Sequence, residues 1–180
     1  MVNIQKKYIG ILGGSFDPAH KGHLGISKIA IKNFRLKRVY WTITKQNPFK
    51  KKTFFSLKER IQLARELTKN NKNIIILYYD GIIKSSRSID IVKYILKKKR
   101  PENLYFLIGS DNLINFHKWK SWKKLINLVK IIVFSRKGYV KKSKESIVAK
   151  YLKKDKLLFV NNKHITISST SLRNKIKSNL

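Results

Sequence analysis

Residues 13–24 combine three kinds of group that bind phosphate. They read Gly-Gly-Ser-Phe-Asp-Pro-Ala-His-Lys-Gly-His-Leu. A glycine-rich turn between a strand and a helix exposes backbone N–H groups beside the positive end of the helix, an arrangement that holds phosphate. His20 and His23, three residues apart, fall on one face of the helix that follows. The segment therefore predicts a nucleotide-phosphate site with two histidines beside the bound anion.

The histidine pair by itself has two other interpretations. One is an ordinary strand-to-helix turn with two partly exposed histidines. The other is a metal site, which would be incomplete because Asp17 is the only further ligand nearby. The whole string is more specific than the pair, because Gly13 and Gly14 admit a ligand close to the backbone and Ser15 can donate to a phosphate oxygen.

A second group of polar side chains lies near the carboxyl terminus, where residues 165–173 read Ile-Thr-Ile-Ser-Ser-Thr-Ser-Leu-Arg. Hydroxyl residues before a short amphipathic helix are ordinary N-caps, but four consecutive hydroxyls exceed what one cap needs. Ser168, Ser169 and Thr170 at a helix N-terminus can grip a triphosphate, with the Arg173 guanidinium about one turn later. The two segments together predict a clamp on a triphosphate.

A third stretch of interest, residues 107–122, contains a buried apolar run and the polar residues that follow it. Asp111, just past that run, is placed to accept hydrogen bonds from ribose hydroxyls. Trp119 and Trp122 are three residues apart, a spacing more typical of a hydrophobic core than of a ligand platform. On spacing alone, either role is open to them.

The rest of the chain alternates strand-like and helix-like segments from end to end. The predicted strands are Tyr8–Leu12, Arg38–Ile43, Ile74–Tyr79, Leu104–Ile108, Lys130–Phe134 and Leu157–Val160. The predicted helices are Gly22–Phe34, Leu57–Thr68, Ser88–Lys97, Ser121–Leu128, Ser143–Tyr151 and Ser169–Lys177. The strands are continuous apolar runs, typical of a parallel sheet covered on both faces. We expect an α/β fold with a Rossmann-like parallel sheet, helices on both faces and a short C-terminal helical part.

The composition favours one globular domain spanning residues 1–180. Hydrophobic residues make up 42% of the chain and aromatic residues 11%, enough for a substantial core. No apolar run approaches the roughly 20 residues that span a bilayer, and no signal-peptide pattern opens the chain. Thiolate catalysis and disulfides are excluded because the sequence has no cysteine. A cytoplasmic protein without a membrane partner is expected.

The formal net charge of +33 raises the question of nucleic-acid binding. Most of the 42 basic residues are lysines, although arginine reads phosphates and bases better. The lysines are also spread along the whole chain rather than gathered in one segment. Nucleic-acid binding is therefore not expected, and the charge is read as a solvated surface that attracts anionic substrates.

Three motifs carry a resemblance to a known family. Residues 13–24 resemble the nucleotidyltransferase signature G-G-[ST]-F-D-P-x-H-x-G-H, and residues 167–173 resemble the I-S-S-T-x-[IL]-R motif of its adenylyltransferases. Residues 109–122 resemble the pattern G-[SA]-D-x-L-x-x-F-x-x-W-x-x-W of the nicotinate-nucleotide adenylyltransferases. The resemblance covers roughly residues 8–176. It implies transfer of the adenylyl group of ATP to nicotinate mononucleotide, with Mg²⁺ carried by ATP, to give deamido-NAD and pyrophosphate in NAD biosynthesis.

The resemblance also assigns roles to individual residues. The implied catalytic residues are His20, His23 and Arg173. The implied ATP contacts are Gly13, Gly14, Ser15, Phe16, His20, His23, Ser168, Ser169, Thr170 and Arg173. The implied contacts to the mononucleotide are Lys50, Ser86, Ser88, Asp111, Trp119 and Arg136. In that family the first tryptophan of the motif lies against the pyridine ring, and the backbone of the segment matching residues 86–90 recognises the nicotinate carboxylate.

The sequence departs from the family pattern at three positions. Phe49 stands where many relatives have a histidine, Arg87 where they have an aromatic residue, and Ser88 where they have a threonine. Other nucleotidyltransferases remain as alternatives, namely those that use nicotinamide mononucleotide or phosphopantetheine, and the cytidylyltransferases. A basic nucleic-acid-binding module on a degenerate fold of this type is a further alternative, and a homo-oligomer is left open.

Overall fold

Six parallel strands form one sheet in the computed structural model, which describes residues 7–45, 53–153, 155–162 and 169–178. The strands are β1 (Tyr8–Gly14), β2 (Arg38–Ile43), β3 (Ile74–Leu77), β4 (Asn103–Gly109), β5 (Lys130–Phe134) and β6 (Leu157–Val160). Their order in the sheet is β3-β2-β1-β4-β5-β6. The chain adds β2 and β3 on one side of β1, and then returns to add β4, β5 and β6 on the other side. The predicted parallel α/β fold is confirmed, and this order creates a crevice at the carboxyl ends of β1 and β4.

The helices cover both faces of the sheet. They are α1 (Lys21–Asn33), α2 (Leu57–Thr68), α3 (Asp80–Ile83), α4 (Ser88–Lys99), α5 (Ser110–Ile114), a 3₁₀ helix (Phe116–Lys118), α6 (Trp122–Leu128), α7 (Val140–Lys144), α8 (Ile147–Tyr151) and α9 (Ser169–Lys177). None of the helices in the described ranges is both long and apolar enough to cross a membrane.

Alternate residues of each strand enter two separate cores. In β2, Val39 and Trp41 pack on the α1 and α2 side, whereas Tyr40 packs on the side of α4 and α6. In β4, Tyr105 and Leu107 belong to the first core and Phe106 to the second. Because both faces are buried, the strand sequences have no polar face, which is why they read as continuous apolar runs.

Several predicted elements differ from the observed ones. The third strand ends at Leu77 instead of Tyr79, and α4 ends at Lys99 instead of Lys97. The strand predicted to end at Leu12 continues to Gly14, so both glycines pair with β2 instead of forming the turn. The single helix predicted over residues 143–151 is wrong, because α7 and α8 are separate short helices. Ser146 has extended dihedral angles between them, and its side chain accepts a hydrogen bond from the Ala149 N–H at 3.2 Å, which starts a new helix.

Gly10, in the middle of β1, allows the core side chains on the α1 side to pack close to the strand. A Cβ atom at this position would lie 2.9 Å from Leu36 Cδ1, 3.0 Å from Leu107 Cδ1 and 3.2 Å from Val39 Cγ2. Each of these side chains is buried in the core on the α1 side and has little room to move.

We therefore expect Gly10→Ala to lower the free energy of unfolding by about 1–3 kcal/mol through overpacking. Chemical denaturation followed by circular dichroism measures the change. Gly81→Ala is the control, since a Cβ atom there would meet Tyr78 at an ordinary 3.5 Å. Equal stability of the two variants would contradict the packing argument.

Candidate active site

A cavity of about 360 Å³ opens at the carboxyl edge of the sheet, where the strand order reverses. Each of the strands β1, β2 and β4 supplies part of its wall, and the rest comes from the start of α4 and the residues just before it and from the segment before α6. The lining residues are Gly13, Gly14, Thr42, Thr44, Ser86, Arg87, Ser88, Ile91, Phe106, Lys118, Trp119 and Lys120. This placement is the one expected for a ligand site in a parallel α/β sheet.

His20 and His23 lie against each other where α1 begins, with their ring centroids 3.8 Å apart. His20 is the N-cap residue, and its Nδ1 accepts a hydrogen bond from the Gly22 N–H at 3.1 Å. His23 Nδ1 in turn accepts from the His20 N–H at 3.2 Å. Because both Nδ1 atoms are acceptors, each neutral ring carries its proton on Nε2. Both histidines are thereby set as Nε2–H donors, the form that stabilises an anion.

The second predicted motif docks directly on the first. Ser169 Oγ donates to the Pro18 carbonyl at 3.0 Å, and Arg173 Nη1 donates to the Asp17 carbonyl at 2.6 Å. Arg173 Nη2 also donates to Thr170 Oγ1 at 3.1 Å. The structure therefore brings the start of α9 and the β1–α1 loop together, as the sequence predicts. Ser168 lies outside the described residues.

Asp17 joins three segments around this contact. Its two carboxylate oxygens accept from the Phe54 and Phe55 N–H groups at 2.8 and 2.9 Å. Its Oδ2 also lies 3.6 Å from Arg173 Nη1, and the side chain is 7% exposed. Asp17 thus ties the segment before α2 and the start of α9 to the β1–α1 loop. The contacts give this carboxylate a structural role.

Arg60 lies in α2 with 1% of its surface exposed. It binds the β1–α1 loop from the other side. Nη1 donates to the carbonyls of Ser15 at 2.7 Å and Thr44 at 2.8 Å, and Nη2 donates to the Lys45 carbonyl at 2.9 Å. Burial lowers the pKa of Arg60, and the charges of Asp17 and Asp80 oppose that shift. One guanidinium therefore fastens the β1–α1 loop to the end of β2.

Asp80 completes this buried network. Its Oδ2 accepts from the Lys45 N–H at 2.8 Å, so it fixes the end of β2 from the side of α3. Burial raises the pKa of Asp80, while the Lys45 and Asp80 backbone N–H groups and the charge of Arg60 lower it. The segment that leaves β2 is thus held by a cation and an anion together.

Asp111 and Arg136, both predicted to bind the mononucleotide, are paired with each other. Arg136 Nη1 donates to Asp111 Oδ2 at 2.6 Å across the ends of β4 and β5. The Arg136 N–H also donates to Ser110 Oγ at 2.9 Å. Neither Asp111 nor Arg136 is among the residues that line the cavity.

Trp119 and Trp122 have different surroundings. Trp119 lines the cavity, stacks on Phe116 with ring centroids 4.7 Å apart, and meets the edge of Phe106 at 6.0 Å. Trp122 instead packs against Tyr151 with centroids 5.3 Å apart. The structure therefore places the first tryptophan at the cavity and the second in a helix contact.

Of the predicted site residues, Gly13, Gly14, Ser86, Ser88 and Trp119 line the cavity. Lys50 lies outside the described residues. Arg87, which the sequence showed as a departure from the family pattern at the substrate site, also lines the cavity, whereas sequence reasoning missed the others, chiefly Thr42, Thr44, Lys118 and Lys120. The two threonines end or follow a predicted strand, so the rule that ligands bind at carboxyl ends could have found them. Lys118 and Lys120 do not follow a predicted strand, so this rule could not have found them.

The described ranges contain no group of three or more histidine, cysteine, aspartate or glutamate residues that could hold a metal ion. The histidine pair instead uses both Nδ1 atoms as hydrogen-bond acceptors within the helix start.

The fold and this edge of the sheet define an α/β nucleotide-binding protein. A family model described as cytidylyltransferase-like matches residues 11–175. The probable nicotinate-nucleotide adenylyltransferase of Pelagibacter ubique (strain HTCC1062) is 47% identical over 172 residues, covering 96% of this chain and 95% of the relative. That of Aquifex aeolicus (strain VF5) is 34% identical, covering 89% of this chain and 98% of the relative. The chain belongs to the nicotinate-nucleotide adenylyltransferases within the cytidylyltransferase-like family.

A solved structure supports the fold independently. It is a Plasmodium falciparum nicotinic acid mononucleotide adenylyltransferase complexed with NaAD, which superposes with a TM-score of 0.72. The match covers 96% of this chain and 89% of that chain, at 22% sequence identity.

We expect Arg60→Lys to lower the free energy of unfolding by about 3 kcal/mol, because an ammonium group cannot reach all three carbonyls and leaves buried acceptors unpaired. Thermal and urea unfolding measure the loss. Arg65→Lys, at an exposed position of the same helix, serves as the control. A loss no larger than that of the control would show that the three hydrogen bonds contribute little.

Proposed function

We propose that this protein joins the adenylyl group of ATP to nicotinate mononucleotide, giving nicotinate adenine dinucleotide and pyrophosphate. One observation carries the proposal. A single cavity joins the glycines at the end of β1 with Trp119 and with Ser86 and Ser88, beside a histidine pair set as Nε2–H donors. A phosphate group and an aromatic ring can thus be bound next to each other.

The reaction depends on how the two substrates are positioned more than on an activated nucleophile from the protein. The 5′-phosphate of the mononucleotide attacks the α-phosphorus of ATP in line. A P–O bond forms there while the bond to the β-phosphate oxygen breaks, and pyrophosphate leaves with the electron pair. The attacking phosphate is already an anionic nucleophile, so no general base is required. The protein has to align two polyanions and stabilise the charge that develops on the phosphoryl oxygens.

His20 and His23 supply the donors for that charge. Their tautomers are set by the hydrogen bonds at Nδ1, so no reorganisation is needed when the transition state forms. They also lie at the positive end of α1, which adds to the attraction for phosphate. We assign His20 and His23 to the α-phosphate and the bridging oxygen of ATP.

Arg173 and the first residues of α9 serve the triphosphate from the other side. The Arg173 guanidinium is anchored through Nη1 on the Asp17 carbonyl and through Nη2 on Thr170. An anchored guanidinium can bind phosphate oxygens with its remaining donors. We assign Arg173, Ser169 and Thr170 to the leaving pyrophosphate.

We assign the mononucleotide to the part of the cavity that Trp119 lines. Trp119 offers an aromatic surface for the pyridine ring, and its ring is held by Phe116 and Phe106. The lining contains three exposed cationic side chains, Arg87, Lys118 and Lys120, and no aspartate or glutamate among its described residues. A cationic lining favours the carboxylate of nicotinate over the neutral amide.

We assign the divalent cation to the nucleotide rather than to protein ligands. With no cluster of metal-ligating side chains among the described residues, Mg²⁺ would be held by the phosphates of ATP and by water. It would neutralise charge on the phosphates, while the histidines and Arg173 orient them.

The proposal predicts that His23→Ala lowers kcat by ~10²–10³, because one donor to the transition state is lost. Pyrophosphate release from ATP with nicotinate mononucleotide measures the rate, and circular dichroism checks the fold. The same assay with nicotinamide mononucleotide tests the substrate. An unchanged rate for His23→Ala, or equal use of the amide, would contradict the proposal.

Arg87→Gln tests the cationic lining. We expect kcat/KM for nicotinate mononucleotide to fall about fivefold, since an exposed charge pair contributes up to about 1 kcal/mol, and the value for the amide to stay nearly constant. Arg100→Gln removes a cation from the opposite end of the same helix, α4, and is the matched control. Equal losses of kcat/KM for nicotinate and nicotinamide mononucleotide would show that Arg87 does not contribute to the choice between these substrates.

A further inference from the structure

Trp41 and Ser27 form a buried hydrogen-bonded chain that ends on His23. Trp41 lies on β2 and Ser27 on α1, and both are 0% exposed. Trp41 Nε1 donates to Ser27 Oγ at 2.8 Å. Ser27 Oγ in turn donates to the His23 carbonyl at 2.8 Å. We infer that Trp41 and Ser27 are positioning residues, which fix the first turn of α1 so that the His23 imidazole stays in place for adenylyl transfer.

The chain of hydrogen bonds is directional. An indole N–H can only donate, so the Ser27 hydroxyl accepts it and uses its own proton for the His23 carbonyl. Hydrogen bonds in series polarise one another, which strengthens the bond to His23. The sheet thus holds the backbone of His23 through two buried side chains.

The same residues also hold the imidazole ring. Phe16 stacks on Trp41 with ring centroids 5.0 Å apart and lies 4.7 Å from the His23 ring. The Trp41 ring itself is 5.9 Å from His23, at an angle of 63°. His23 is therefore supported by aromatic rings on the side of the core, and by His20 at 3.8 Å.

The backbone of Phe16 is further evidence that this packing is imposed. Its φ angle is 46°, in the left-handed region that side chains such as phenylalanine rarely adopt. Such a conformation persists only when the surroundings enforce it. Here the ring is 2% exposed and packed between Trp41 and His23.

The inference rests on the proposed role of His23. Its test compares the effect of each variant on kcat with its effect on the melting temperature. Ser27→Ala removes the bond to His23 and leaves the Trp41 N–H buried without its partner. Trp41→Phe removes that donor and keeps an aromatic ring. The double variant therefore has no orphaned donor, and we expect its melting temperature to recover part of the loss caused by Ser27→Ala alone.

The rate is expected to behave differently. Ser27→Ala and the double variant both lose the bond to His23, so both should lose about tenfold in kcat, with the KM for ATP within twofold. Thr68→Val is the matched control, because Thr68 is also buried and donates to the carbonyl four residues earlier, Ala64, at 2.9 Å. It should keep the wild-type kcat.

A purely structural role predicts the opposite pattern. If kcat in the double variant recovers together with the melting temperature, or if Ser27→Ala keeps the wild-type kcat, the inference is overturned. A loss of kcat in Thr68→Val equal to that in Ser27→Ala overturns it as well.

Long-range ¹H–¹⁵N NMR of the ligand-free protein provides a readout that does not depend on activity. His23 should show Nδ1 unprotonated and Nε2 protonated in the wild type, and a shift toward mixed tautomers in Ser27→Ala. Unchanged His23 nitrogen shifts would refute the positioning role. A wild-type rate for His23→Ala would refute the proposed role of His23 instead, while the NMR result would still decide whether Ser27 positions the ring.

Discussion

The site depends on the hydrogen bonds donated by the buried guanidinium of Arg60. This guanidinium joins the carbonyls of Ser15, Thr44 and Lys45, which belong to two segments distant in the sequence. Beyond the last paired residues, strand pairing no longer holds the end of β2 against the β1–α1 loop. The cost of burying a cation is offset by three hydrogen bonds and by the nearby carboxylates of Asp17 and Asp80.

Asp17 extends this constraint to the start of α9. It receives two backbone N–H groups from the segment before α2 and faces the guanidinium of Arg173. The β1–α1 loop is consequently held by α2 on one side and α9 on the other. The cavity wall also depends on packing, since Trp119 contacts Phe106 of β4 as well as Phe116, which lies three residues before it in the sequence.

The parts of the fold that were predictable are those set by local pattern. Continuous apolar runs marked all six strands, and α1 and α2 were predicted to within a residue or so at each end. The helix predicted over residues 143–151 failed because a single capping serine, Ser146, outweighs a weak helical pattern. The short helices α3 and α5 were missed because one turn of helix has no periodicity to detect.

By itself, the sequence identified the family through its short motifs and predicted which segments bind phosphate, because such motifs consist of residue types at short spacing. The tertiary structure alone decided that Arg60 and Asp17 assemble the site, that Asp111 pairs with Arg136, and that Trp41 reaches His23 through Ser27. Apart from the Ser27–His23 bond within α1, these contacts join residues 14 to 156 positions apart. Such pairs leave no trace in local pattern, since only the packing of helices on the sheet brings them together.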